Sequence, residues 1–90
     1  MSTEVEYNTV SRGIVTVEAG SANAVVLDCR GCRTMTAYFA DTCTYLPCTA
    51  AGVAATGESA ASFTSGTTVA VIWPFYKIQA ATSAAQVAAV

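Results

Sequence analysis

The chain has 90 residues, 53% of them hydrophobic, and a formal net charge of −2. Only 11% of the residues are charged, whereas an ordinary soluble domain carries about 25%. This length supports one modest apolar core, and the few scattered basic residues exclude a charged footprint for the phosphates of nucleic acid. We therefore expect one domain whose uncharged surface is covered by other subunits.

The first half of the chain has the alternation and the turn residues that are typical of β-strands. Residues 1–9 are polar and acidic, which predicts an N-terminal arm. Strands are predicted over 10–17, 24–29 and 33–40, and the last of these has a clear period of two. A tight connection at Gly31 predicts that the second and third strands form a hairpin.

The second half is interrupted more often by turn residues. Residues 41–47 are predicted as a turn, and 49–55 as either a strand or a loop. A second hairpin is predicted from 60–64 and 67–73, because a Ser-Gly pair separates these two segments. A further strand is predicted over 75–80.

The remaining residues, 81–90, are predicted to form a C-terminal tail outside a β domain that covers 10–80. The alanine content of 84–90 also allows a short helix, which would need a surface to pack against. The end of the tail is apolar and uncharged, so Gln86, Val87 and Val90 are predicted as assembly contacts. The spacing of turns predicts an all-β fold, a small antiparallel β-sandwich or barrel of six to eight short strands with extended terminal arms.

The cysteines Cys29, Cys32, Cys43 and Cys48 form C-x2-C and C-x4-C pairs, which resemble the ligands of a zinc ribbon. An extended strand of about ten residues between the pairs would hold them on the order of 30 Å apart. Reduced, buried thiols are therefore the favoured interpretation, and one or two disulfides or a zinc site remain alternatives. A redox C-x-x-C pair needs a helix N-terminus to activate it, whereas this pair lies between two predicted strands.

The chain contains no histidine. This absence removes the usual general base, the Ser-His-Asp and Cys-His arrangements and most metal sites. The carboxylates lie in the arm or near predicted turns, which favours a solvating role over a catalytic pair. We therefore expect no enzymatic activity and no cofactor.

Large aromatic residues are few, so most of them are expected in the core. Alternation through the Trp73-Pro74-Phe75 segment predicts that Trp73 and Phe75 lie on one side as core anchors, together with Phe39. The alternative is a platform for a glycan or a receptor. The residues predicted to present hydroxyl groups at a rim are Tyr38, Tyr45 and Tyr76.

Three segments carry a resemblance to a known class of proteins. They are a Val- and Thr-rich strand that begins at Gly13, a Tyr-Phe strand over 33–40, and a late strand from Gly66 to Trp73 that precedes an Ala/Thr tail. In these segments the chain resembles the small decoration, cement or head-fibre base proteins of tailed-bacteriophage heads. The four cysteines depart from the cysteine-poor pattern of that class.

The resemblance implies a structural protein of the virion, made in the host cytoplasm. It implies a homo-oligomer that binds the major capsid protein or other virion subunits and stabilises the head. Nucleic acid is not an expected partner because the basic residues are few and scattered. A membrane is not expected because no apolar run approaches the roughly 20 residues needed to span a bilayer. The alternatives are a receptor- or glycan-binding β module and a small interaction domain stabilised by zinc or disulfides.

Overall fold

The computed structural model describes residues 8–10, 13–50 and 53–90. A three-residue 3-10 turn over Ser21–Asn23 is the only helical element in these ranges. The described residues thus contain no helix long and apolar enough to cross a membrane. In chain order the strands are β1 (Asn8–Val10), β2 (Gly13–Val17), β3 (Val25–Asp28), β4 (Thr34–Tyr38), β5 (Cys43–Ala50), β6 (Val53–Ala54), β7 (Ala61–Ser62), β8 (Thr68–Ala70), β9 (Phe75–Ala80) and β10 (Ala85–Ala89).

The strands form two sheets. The six-stranded sheet has the order β1-β3-β9-β5-β6, with β7 also pairing with β5, and the four-stranded sheet has the order β2-β10-β4-β8. Strand β1 pairs with β3 in parallel, and the other strand pairs are antiparallel. The predicted all-β class, a small β-sandwich or barrel, is confirmed, and the two sheets give it the form of a sandwich. Ten strands are described rather than six to eight, because several have only two or three residues.

The core lies between the sheets and is formed by alternate residues of their strands. In β9 the residues Tyr76, Ile78 and Ala80 are buried, while the residues between them are half-buried. Leu27 and Met35 are also among the largest fully buried side chains. Burying a side chain of this size stabilises the fold by about 1.5–3 kcal/mol, so these inward positions are the main source of stability.

Strand β10 lies in the middle of the four-stranded sheet, between β2 and β4. The prediction that 81–90 form a tail outside the domain is therefore wrong for Ala85–Ala89. Ala85, Val87 and Ala89 are buried, whereas Gln86 is exposed. Alanine content concealed this period of two, and strand neighbours on both sides favour the extended conformation over a helix.

Neither predicted hairpin forms, because the strands of each one pair with other strands. Strand β3 pairs with β9 and β4 pairs with β10 and β8, so the turn at Gly31 carries the chain from one sheet to the other. Gly31 has a φ of 85°, and the N–H of Cys32 donates to the carbonyl of Cys29 at 2.9 Å. Likewise β7 pairs with β5 and β8 with β4, although only a short turn at Gly66 separates them.

Strand β5 occupies most of the segment predicted as a turn. It contains Pro47, which pairs with Tyr76 of β9. The carbonyl of Pro47 accepts a hydrogen bond from the N–H of Ala55 at 3.0 Å, on the side away from β9. Because the N–H and C=O of one strand residue point to the same side, the N–H that proline lacks is not needed for the pairing with β9. The predicted turn at 41–47 is therefore wrong from Cys43 onward.

The two long sides of the sandwich differ. On one side lie β1, at the edge of the six-stranded sheet, and β2, at the edge of the four-stranded sheet, which only two residues separate in the sequence. On the other side lie β8 of one sheet and the short strands β6 and β7 of the other. Of the predicted arm over 1–9, residues 1–7 lie outside the described residues, whereas Asn8 and Thr9 pair with β3.

Candidate functional site

The outer side of the four-stranded sheet carries no charged side chain on any of its strands. Its positions alternate with the buried positions of β2, β4, β8 and β10. We call this surface the uncharged face. Its members are Ile14, Thr16, Thr34, Thr36, Tyr38, Thr68, Ala70, Gln86 and Ala88.

Strand pairing places these side chains in rows across the sheet. Gln86 is opposite both Thr16 and Tyr38, and Ala88 is opposite both Ile14 and Thr36. The hydroxyl groups of Thr36 and Thr68 are hydrogen-bonded to each other at 3.0 Å. Ile14 is 76% exposed and Tyr38 is 58% exposed. The uncharged face therefore presents methyl, hydroxyl and large apolar groups to water, without the charge that normally keeps a sheet soluble.

Val90 continues this pattern beyond the end of β10. Its backbone exchanges hydrogen bonds with Thr34, and its side chain is 73% exposed. Of the three predicted assembly contacts, Gln86 and Val90 are thus accessible. Val87 is fully buried in the core, so its prediction as an assembly contact is wrong. The period of two places it on the inner side of the same strand.

The outer side of the six-stranded sheet is different, because it carries charge. Arg30 forms an ion pair with Asp28 at 2.8 Å, and its guanidinium lies 5.1 Å from the centre of the Phe75 ring. Lys77 is the next residue but one along β9 and lies on the same side as Phe75. Phe75 therefore lies on the outer face beside Arg30, and its prediction as a core anchor is wrong.

A groove of about 240 Å³ opens on the side of the sandwich where β8 and β7 are edge strands. Its aromatic lining consists of Tyr45, Trp73 and Tyr76, and its polar side chains, apart from the tyrosine hydroxyls, are Glu58 and Ser59. The rest of the lining is aliphatic or proline. We call this feature the aromatic groove.

Tyr76 forms the floor of this region and is only 2% exposed, so the prediction that it lies at a rim is wrong. Its hydroxyl oxygen accepts hydrogen bonds from the N–H groups of Ile72 at 3.1 Å and Trp73 at 3.3 Å. The Tyr45 ring lies 6.0 Å from the Tyr76 ring and 4.4 Å from the Phe63 ring. This cluster fixes the segment before β9 against the core.

The two other predicted core anchors occupy intermediate positions. Trp73 and Phe39 are half-buried and pack against the edge of the core. Trp73 also lines the aromatic groove. The buried core contains aliphatic and sulfur-containing side chains together with Tyr76 and Phe63, whereas Trp73 combines partial packing with an accessible surface.

The four cysteines are free thiols, and the structure does not bring them together as a metal site. Among the described residues, no three cysteine, aspartate or glutamate side chains lie close enough together to hold a metal ion. Burial raises the pKa of Cys29 to about 12, with smaller contributions from Cys32 and Asp28. Burial also raises the pKa of Cys43 to about 11. These two thiols remain protonated near neutral pH, unlike the thiolate of a redox enzyme.

Comparisons of the chain with protein families, with curated proteins and with solved structures find no match. The alternation in β4 predicted that Thr34, Thr36 and Tyr38 share one face, and the structure extends that face over four strands. Trp73 was predicted as a core anchor, with a glycan or receptor platform as the alternative, whereas Glu58 was not predicted beside it because the two residues line one groove only through the folding of two separate loops.

Proposed function

We propose that the protein is a structural subunit that binds other subunits of an assembly through its uncharged face, in the manner of a decoration or cement protein on a bacteriophage head. The observation that carries this proposal is a four-stranded sheet with no charged residue on its outer side. Exposed sheets and edges normally carry charge that prevents association. A partner that covers this face removes Ile14 and Tyr38 from water.

The chemistry of the remaining residues supports a structural role rather than catalysis. The sequence has no histidine, and burial holds the pKa of Cys29 and Cys43 far above neutral pH. A thiol in this state is a poor nucleophile and a poor redox group. The protein is therefore proposed to act by binding alone, without a cofactor.

The same face favours protein over nucleic acid as the partner. Binding to nucleic acid depends on basic side chains that neutralise phosphates, and the uncharged face has none. It is suited to a second uncharged protein surface. The partners proposed are the major capsid protein or other virion subunits, together with further copies of this chain, which places the protein in the virion.

A lysine placed in the centre of the face tests the proposal. Gln86 is exposed on β10, the second strand of the sheet, so Gln86→Lys adds charge without filling the core. The matched control is Gln79→Lys, which adds the same charge on β9 of the other sheet. Circular dichroism and thermal unfolding establish that both variants are folded.

Sedimentation velocity then measures self-association. Binding to the particle is measured by cosedimentation with phage heads, which are assembled from the proteins of the genome that encodes the chain. We expect the unmodified chain and Gln79→Lys to associate with heads, and Gln86→Lys to lose that association. A chain that remains monomeric and does not bind to heads contradicts the proposal. Equal loss in both lysine variants contradicts the assignment to the uncharged face.

A further inference from the structure

We infer that the aromatic groove is a second binding site, which takes an extended segment of a partner protein by strand addition to β8 and holds a lysine or arginine side chain of that segment beside Glu58. The site lies at the side of the sandwich and shares only Ala70, at the sheet edge, with the uncharged face, which is the outer surface of one sheet. The inference therefore does not depend on the proposed function.

The first support is the edge position of β8. Within the described residues β4 is its strand neighbour, through the pairs of Thr34 with Ala70 and Thr36 with Thr68, and β8 ends the sheet order. Its far side can pair with another strand in the way that peptides add to an exposed sheet edge. Val69 and Ala70 of β8 also line the groove. Because side chains alternate along a strand, every second side chain of an added segment faces the groove.

The second support is the chemistry of the lining. Tyr45 and Trp73 contribute half-buried aromatic rings above the buried Tyr76, Glu58 contributes a carboxylate, and the lining contains no lysine or arginine. Aromatic rings attract cations through their faces, and the long stems of lysine and arginine pack on apolar surfaces. The complementary side chain is therefore apolar along its stem and positively charged at its tip.

The position of Glu58 is set by its own loop. Its backbone N–H donates to the carbonyl of Ala55 at 3.1 Å, and this closes a turn in which Gly57 has a φ of 82°. Glu58 is exposed, and among the described residues its carboxylate forms no ion pair. Its charge is thus available to a cation from outside the domain.

Two other occupants fit the groove less well. A glycan requires several polar side chains around its hydroxyl groups, whereas Glu58 and Ser59 are the only non-aromatic polar side chains of the lining. The acidic first residues of this chain contain Glu4 and Glu6, which Glu58 repels. A basic, extended segment from another protein satisfies both the charge and the apolar walls.

The test uses the full chain and a labelled seven-residue peptide of sequence Thr-Val-Thr-Arg-Thr-Val-Thr, with a second peptide in which glutamine replaces the arginine. Trp73 is the only tryptophan of the chain and lies in the groove, so its fluorescence reports occupancy directly. Fluorescence anisotropy of the label gives the Kd. We expect the arginine peptide to bind about 3- to 10-fold more tightly than the glutamine peptide.

Protein variants then show whether Glu58 causes the preference for the arginine peptide. Glu58→Gln is expected to abolish the preference for arginine, while the matched control Glu18→Gln retains it, because Glu18 is exposed and is not part of the groove lining. The uncharged-face variant Gln86→Lys is expected to bind the peptide like the unmodified chain, which separates failure of this inference from failure of the proposed function.

Peptides N-methylated at alternate residues test strand addition without altering the protein. Methylation on the side that faces β8 is expected to abolish binding, and methylation on the opposite side to leave it intact. Equal affinity for arginine and glutamine peptides overturns the inference, as does equal binding of both methylated forms. A Trp73 response to oligosaccharides with no response to peptide also overturns it, in favour of a glycan site.

Discussion

The hydroxyl oxygen of Tyr76 lies 3.1 Å from the backbone nitrogen of Ile72 and accepts its hydrogen bond. The same oxygen accepts from the N–H of Trp73, so Tyr76→Phe removes the acceptor of both hydrogen bonds and keeps the buried ring. We expect the free energy of unfolding to fall by about 1–3 kcal/mol in urea titrations. Tyr45→Phe is the control, because the Tyr45 hydroxyl has no hydrogen bond within the described residues. Equal losses in the two variants would show that this acceptor is unimportant.

The loss of stability caused by removing an aromatic side chain should increase with the burial of that side chain. Tyr76→Ala empties a position that is 2% exposed and should cost about 3–5 kcal/mol. Trp73→Ala removes a half-buried side chain at the edge of the core and should cost less, although tryptophan is larger. Thermal unfolding followed by circular dichroism measures both variants. A larger loss for Trp73→Ala would restore that residue as the main core anchor.

Strand β10 should be essential for folding. A variant that ends at Ala80 lacks the strand that joins β2 to β4, and we expect it to show no cooperative unfolding transition. Within β10, Val87→Ala should lower the free energy of unfolding by about 1–3 kcal/mol because Val87 is fully buried. Gln86→Ala on the opposite face should change it by less than about 0.5 kcal/mol. A folded, cooperative variant ending at Ala80 would contradict the observed topology.

Alkaline pH should weaken the fold through the buried thiols. The pKa of Cys29 rises from its ordinary value of 9.0 to about 12 in the folded chain, and that of Cys43 rises to about 11. Well below pH 9 both thiols are protonated whether the chain is folded or not, so their contribution is constant. Above pH 9 only the unfolded thiols ionise, and the free energy of unfolding falls as pH approaches 11 to 12.

The double variant Cys29→Ala/Cys43→Ala isolates this contribution. Urea titrations at pH 7.5, 9 and 10.5 should show a shallower alkaline loss for the variant than for the unmodified chain. Other groups that titrate in this range affect both proteins alike, so the difference between the two curves is the informative quantity. Parallel curves would indicate that the two thiols do not resist ionisation in the folded state.

The strands could be predicted from sequence because a period of two is a local signal. The segments 24–29, 33–40 and 75–80 each contain a strand in the structure. Their partners could not be predicted, because a turn such as Gly31 has the same local chemistry whether the chain folds back within one sheet or crosses to the other. The pairing of β4 with β10 depends on contacts far apart in the chain.

In the candidate sites, too, local features could be predicted from sequence and contacts between distant segments could not. That Thr34, Thr36 and Tyr38 share a face was evident from their spacing, whereas the position of Gln86 beside them required the pairing of β10 with β4. The prediction for Phe75 was wrong because the alternation of inward and outward residues was assigned with the wrong phase. Alternation was continued through Pro74, but β9 begins at Phe75, so the inward series starts at Tyr76.

The central position of β10 also determines the order in which the protein is built on the ribosome. Every strand of the six-stranded sheet has been synthesised once β9 is complete, whereas β2 and β4 have no joining strand until residues 85–89 follow. A nascent chain therefore passes through a stage in which the six-stranded sheet is able to form. At that stage the four-stranded sheet that covers its apolar inner side is still incomplete. Such species aggregate readily. Synthesis of residues 85–89 thus ends the interval in which the inner side of the six-stranded sheet lacks its covering sheet.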